Sequence, residues 1–159
     1  MAVIATDEEY ERIQQLLEQW RVGGERQRAS LQAAGLSPEH VELAMQPHLA
    51  MQDQFEGQLA WYDNARKGTI RSLPDLKAIG LSLIALRIAK GLTQRQLAER
   101  LGVNEAEVSK DEKHEYHGIS VERAQRIIDA MGGSVTVSVS PEPPPTPEWE
   151  LQEAEAQTR

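Results

Sequence analysis

Residues 92–112, LTQRQLAERLGVNEAEVSKDE, constrain the fold more than any other stretch of the chain. Thr93 followed three residues later by Gln96 has the spacing of a capping box, so a helix begins there. Leu97, Ala98 and Leu101 fall on one face of that helix, and Gly102 ends it by accepting positive φ. Asn104 with Glu107 three residues on marks the start of a second helix. Two short helices joined by so tight a turn cross closely, and the small Ala98 lies where they cross.

The flanking sequence is also helical in pattern. Thr6 and Glu9 give a capping-box start, and Ile13, Leu16, Leu17 and Trp20 recur at helical spacing, predicting a helix over residues 7–21 that stops at Gly23-Gly24. A second short helix is expected over 25–34, ending at Gly35, and Ser37-Pro38-Glu39 reads as a further helix start. Pro47 interrupts that segment and opens a new helix whose face carries Leu49, Gln52, Phe55, Leu59, Tyr62 and Arg66, ending near Gly68. Ser72, Pro74 and Asp75 start another helix that runs through Leu76, Ile79, Leu83 and Leu86 to Lys90, with Gly91 as its stop. Ser120 caps a last helix to Met131.

After Gly132-Gly133 the pattern changes. Val135, Val137 and Val139 alternate with polar residues, as in a half-buried strand, and a lone strand needs a partner. A second copy of the same strand is the economical one, so a homodimer is expected, the alternative being a frayed, solvated extension. Residues 140–159 hold five prolines and many glutamates. Such a segment buries too little to order itself. The expected organisation is an N-terminal helical region (1–70), a helical bundle (71–133), a dimerising strand (134–140) and a disordered proline-rich acidic tail (141–159). The fold class is mainly α.

Composition sets limits on function. The chain has 159 residues, 40% apolar and 4% aromatic, with no cysteine, so disulfides, thiol nucleophiles and cysteine-bound zinc are excluded. No apolar run reaches the roughly 18 residues that span a bilayer, and the start has no basic leader, so a cytoplasmic protein is expected. No paired-carboxylate, Ser/His/Asp or phosphate-cradling glycine motif stands out. The nearest approach to a metal site is Asp111, His114, Glu115 and His117, for which hydrogen bonding just past the second helix is the better use. The expectation is therefore no enzyme, no cofactor and no metal.

The paired helices fit a helix-turn-helix, which sets its second helix into the major groove of double-stranded DNA. GLTQRQLAERLGV (Gly91 to Val103) and VSKDE (Val108 to Glu112) resemble the Xre family, the Cro and phage-repressor type of regulator. The resemblance covers about 50 residues and implies roles position by position. Gln94 would brace a phosphate, flanked by Thr93 and Arg95. Asn104, Glu105, Ala106, Ser109 and Lys110 would face the bases, with Lys113 and His117 nearby, and Arg87 and Glu112 would form a structural ion pair. Lys110 suits guanine acceptors, whereas Glu105 suits only a cytosine amino group. Asp111 departs from the family, whose members often carry an apolar or aromatic residue there, and is expected to cap or pair locally.

The formal charge is −8, from 25 acidic and 17 basic residues, yet residues 87–126 hold eight bases against seven acids. Such a reader makes few phosphate contacts per copy, and two copies on a palindrome are needed for affinity. Leu81, Ile84 and Ile88 add an apolar line on the outer side of the first bundle helix. Docking of the N-terminal helices through Phe55, Leu59 and Tyr62 would cover it, or else a dimer contact would. The layout resembles HigA-type antitoxins. That resemblance implies an autoregulatory repressor, or alternatively a protein that neutralises a toxin by direct binding.

Overall fold

In the computed structural model the described residues are 3–70, 76–137 and 141. They form six α-helices: α1 (Asp7–Ala33), α2 (Pro38–Arg66), α3 (Ile79–Ala89), α4 (Gln94–Leu101), α5 (Glu105–Lys113) and α6 (Val121–Ala130), with one 3₁₀ turn, Leu76–Ala78, leading into α3. The predicted helix start at Ser72, Pro74 and Asp75 lies outside the described residues.

α1 starts where the sequence placed it. The Thr6 hydroxyl accepts from the Glu9 amide at 3.2 Å, and three acidic residues occupy the first turn, favourable at the positive end of the helix. It does not end at Gly23-Gly24 but continues to Ala33, so the two expected helices are one. Tertiary packing overrides the glycine pair. Gly24 is buried against the His48 ring of α2, so close that a Cβ would lie 2.7 Å from Cδ2 of His48. The glycine is there to make room for an imidazole, and the helix tolerates it.

Pro47 likewise lies inside α2, which spans 29 residues from its Ser37 cap without a break. At 1.5 Å per residue both helices run about 40 Å, and they pair as a long hairpin. Trp20 of α1 stacks on His48 with ring centroids 4.7 Å apart and donates its indole N–H to the His48 carbonyl at 3.0 Å. Phe55 meets the same indole edge-on at 6.2 Å. Leu17, Val41 and Met45 are buried in this distal half, apart from the main core.

The other end of the hairpin joins the bundle. Ile4, Ala5, Tyr62 and Ala65 belong to one hydrophobic core with Leu83, Ile84, Ala85, Ile88, Leu97, Ala98, Val108, Tyr116 and the buried face of α6. Ile84 is 0% exposed and Ile88 7%. The apolar line on α3 is thus covered from within the same chain by Tyr62, Ala65 and Leu59. Phe55 is not among them, because it is farther out along α2 and is taken by Trp20.

Residues 133–137 have no strand pairing, and no strand exists among the described residues. A ladder needs a second strand, and this chain supplies none among them. Val135 and Val137 are 44% and 57% exposed, and Val139 and, apart from Pro141, the proline-rich tail lie outside the described residues. No helix among the described residues is long and apolar enough to cross a membrane.

Candidate nucleic-acid interface

The turn between α4 and α5 is built by local chemistry. The Thr93 hydroxyl accepts from the Gln96 amide at 3.1 Å while the Gln96 side chain accepts from the Thr93 amide at 2.8 Å, closing the capping box. Gly102 takes φ of 70°, which lets the chain reverse within three residues. The Asn104 side-chain oxygen then accepts from the Ala106 amide at 3.0 Å and caps α5. Leu97 and Ala98 of α4 and Val108 of α5 are buried where the helices meet.

This packing orients α5. Val108 and Glu112, four residues apart, point into the protein, while Glu105, Ala106, Ser109, Lys110 and Lys113 are all exposed. Asn104 is exposed as well, with its amide N–H groups free because only its oxygen is committed to capping. Glu107 and Asp111 form a third, lateral stripe. Both accept from Arg123 Nη2 of α6, at 2.8 and 2.6 Å. Asp111 therefore pairs locally, and its negative charge is directed away from the exposed face. Arg123 was not singled out from the sequence, although acids at i and i+4 facing a following basic helix start are a readable signal.

Beneath α5 lies a polar knot. Arg87 of α3 donates through Nε and Nη2 to the two Glu112 carboxylate oxygens at 2.5 and 2.6 Å, and both side chains are almost fully buried, at 4% and 0% exposure. Two further Arg87 N–H groups, on Nη1 and Nη2, reach the Leu92 carbonyl at 2.7 Å and the Ala5 carbonyl at 2.7 Å. A buried ion pair is tolerable only when its spare donors are largely satisfied, and here four of the five guanidinium N–H groups have acceptors. The N-terminal segment is thus an integral part of the knot, which the sequence does not announce.

Gln94 belongs to the knot too. It is half-buried, and its side-chain Nε2 donates to Glu112 at 2.8 Å, leaving one amide hydrogen and the carbonyl for anything outside. Thr93 and Arg95 are exposed, and Arg95 is held only by Glu99 at 3.1 Å on the open helix surface, a weak pair. Lys110 and Lys113 have no acidic partner among the described residues. Arg100 and Lys90 are less available, since they donate to the Ala130 and Gly132 carbonyls at 3.1 and 3.0 Å.

The turn after α5 carries Glu115 and Tyr116, both with φ of 52°. Tyr116 is buried, and its hydroxyl pKa is raised by loss of solvent and by the nearby Glu112 charge. His114 Nδ1 lies 2.7 Å from the Lys110 carbonyl, whereas His117 is exposed beside the end of α5. Among the described residues no group of three His, Asp or Glu side chains is placed to hold a metal.

The exposed side chains of α5 and the start of α4 thus form one open face, with Gln94 at its edge. No curated protein and no solved structure matches the chain. The helix-turn-helix family model does match it, over residues 83–137, and this segment is a helix-turn-helix domain of the broad Cro and repressor type.

Proposed function

We propose that the protein is a DNA-binding transcription regulator, acting as a repressor of its own operon and binding a palindromic operator as a homodimer. The observation that carries this reading is the outward face of α5, where Asn104, Glu105, Ala106, Ser109 and Lys110 are exposed together while the acids Glu107 and Asp111 are drawn aside by Arg123. Residues at the front of a second helix placed in this way reach base edges in the major groove. Lys110 donates to guanine acceptors, Glu105 accepts from a cytosine amino group, and Thr93, Arg95, Lys113 and His117 contact phosphates. Gln94 adds its one free amide hydrogen from the rim.

Two copies are required because the reader has few spare cations. Val135 and Val137, exposed and apolar after α6, are the side chains through which two protomers meet. Half-sites then lie about one helical turn apart, roughly 34 Å. Selection of bound sequences from random duplexes tests the reading. A palindrome with that spacing is expected, and Lys110→Ala is expected to change the preferred base at one position per half-site. Enrichment of no sequence would refute it.

A second reading is neutralisation of a toxin by direct binding, favoured by one observation: the distal hairpin exposes Leu16, Trp20, Leu36, Leu43 and Met51, away from the reader. Co-expression with the neighbouring gene products separates the two. A stoichiometric small partner retained by the hairpin supports the antitoxin, and its absence the plain regulator.

A further inference from the structure

An open cleft runs between the foot of the N-terminal hairpin and the helix-turn-helix. Asp7, Tyr62 and Arg66 line one wall, and Thr93, Gln94 and Glu105 line the other. We propose that Arg66 extends the DNA interface by gripping a backbone phosphate on the flank of the half-site that α5 reads. The inference rests on the DNA-reading function proposed above, and it assigns part of that function to a region outside the helix-turn-helix.

Position supports it first. Arg66 closes the last turn of α2, directly after Ala65, which is 2% exposed and belongs to the shared core. Its backbone is therefore fixed relative to α4 and α5, so a phosphate contact made there is held in register with the base contacts. The facing wall includes Thr93 and Gln94, residues at the rim where a duplex would lie.

Charge supports it next. Two cations line this cleft, and Arg87 is committed to Glu112. Arg66 is not so bound. Its guanidinium lies 6.0 Å from the Tyr62 ring centre and 3.6 Å from Asp7, with both partners of that ion pair mostly in water. Such a pair contributes little and exchanges easily, and a guanidinium is well matched to phosphate oxygens. The cleft also holds the acids Asp7 and Glu105, so without Arg66 this edge would repel DNA. Asp7 is pinned by the Tyr62 hydroxyl, which donates to it at 2.8 Å, and so it stays beside Arg66 as a competitor for the phosphate.

The test uses the full chain with its selected operator and with a random duplex, titrated at several salt concentrations beside thermal unfolding. Arg66→Gln is expected to weaken both duplexes by a similar factor, about tenfold. It is also expected to flatten the salt dependence, by about 0.9 in log–log slope for each phosphate that is no longer neutralised. Arg66→Lys is expected to recover much of the affinity. Asp7→Asn, which keeps an acceptor for the Tyr62 hydroxyl, is expected to tighten both duplexes. Unchanged affinity and slope for Arg66→Gln, or no tightening for Asp7→Asn, overturns the Arg66 contact, and a persisting effect of Lys110→Ala leaves the DNA-reading function standing. A parent protein that binds neither duplex overturns both.

Discussion

Gln94 gives a side-chain N–H to Glu112 at 2.8 Å, on the carboxylate oxygen that also receives Nη2 of Arg87 at 2.6 Å. A residue at the rim of the proposed interface is thereby coupled to the most deeply buried charge of the domain. Contact made by Gln94 with a phosphate would be felt at the joint that sets α5 against α3.

Gln94→Ala follows from that coupling. Removing one hydrogen bond to a charged acceptor is expected to cost about 1–2 kcal/mol of stability, because water at this half-exposed site replaces it in part. Operator and random DNA are both expected to bind more weakly, by a similar factor. Gln94→Glu places a second carboxylate beside Glu112 and is expected to be worse on both counts. Urea midpoints and duplex titrations at matched salt check these outcomes, and a stable Gln94→Glu variant that binds normally would count against the coupling.

The knot itself makes a second prediction. Glu112→Gln leaves Arg87 buried without its counter-charge and is expected to cost about 3–5 kcal/mol. Joint replacement by apolar residues, Arg87→Met with Glu112→Leu, removes both charges and is expected to recover part of that deficit. It should not reach the parent, since the Ala5 and Leu92 carbonyls would be left without their donor and Gln94 without its acceptor. Calorimetric unfolding of the three proteins decides it, and a double variant more stable than the parent would show that the two carbonyls find other donors.

Much of this fold was legible because it is written locally. Thr93, Gln96, Asn104 and Ser120 are caps, and capping is settled within three residues of chain, so α4, α5 and the start of α6 follow from the sequence. What escaped depended on distant partners. Gly23-Gly24 reads as a stop until His48, on another helix, is known to fill the space. Pro47 reads as a break, yet α2 has the length and packing to carry it. The role of Arg87 was visible by resemblance, but its bond to the Ala5 carbonyl, 82 residues away, has no sequence signal. Arg66 looked like one more residue on a helical face, and only the folded hairpin sets it across from Thr93 and Gln94.

Alkaline pH provides a third test. Burial, with the Asp7 hydrogen bond and charge, pushes the Tyr62 hydroxyl up to about 12 from an ordinary 10, and burial raises Tyr116 as well. In both, the neutral form is held by the folded state. Their contribution is fully present below about pH 10. Between about pH 10 and 12 the unfolded chain releases a proton that the folded chain keeps at Tyr62, so unfolding gains and stability falls. Tyr62→Phe is expected to be less stable at neutral pH but to shed less of its remaining stability between about pH 9 and 11. Urea denaturation at those two values checks the slope, and parallel declines in the two proteins would exclude Tyr62 as a cause.

Dimerisation provides a fourth. Val135→Lys with Val137→Lys adds four charges across a symmetric contact and is expected to shift the protein to monomer in sedimentation without lowering its unfolding temperature. These side chains are exposed in the single chain, so the fold does not depend on them. Operator affinity is expected to fall more than about tenfold, since each monomer then binds on its own sparse cations. A monomeric variant that still binds a palindrome as tightly as the parent would place the second grip elsewhere. By contrast Ile84→Glu buries a carboxylate in the core shared with Tyr62 and is expected to unfold the protein rather than to separate protomers.

The last test concerns the hairpin. In most helices Gly→Ala stabilises by roughly 1 kcal/mol. At Gly24 the added methyl would collide with the His48 ring, so Gly24→Ala is expected to destabilise the parent despite the better helix propensity. His48→Ala removes the ring and its stack on Trp20, and is expected to be destabilising alone. In that background the ring no longer blocks the methyl at residue 24, and Gly24→Ala is expected to stabilise by the usual amount. The cycle of four proteins should therefore show a coupling of more than about 1 kcal/mol between two sites on different helices. Additive effects would mean that the ring does not rest on Gly24, and the continuity of α1 through its glycine pair would then need a different cause.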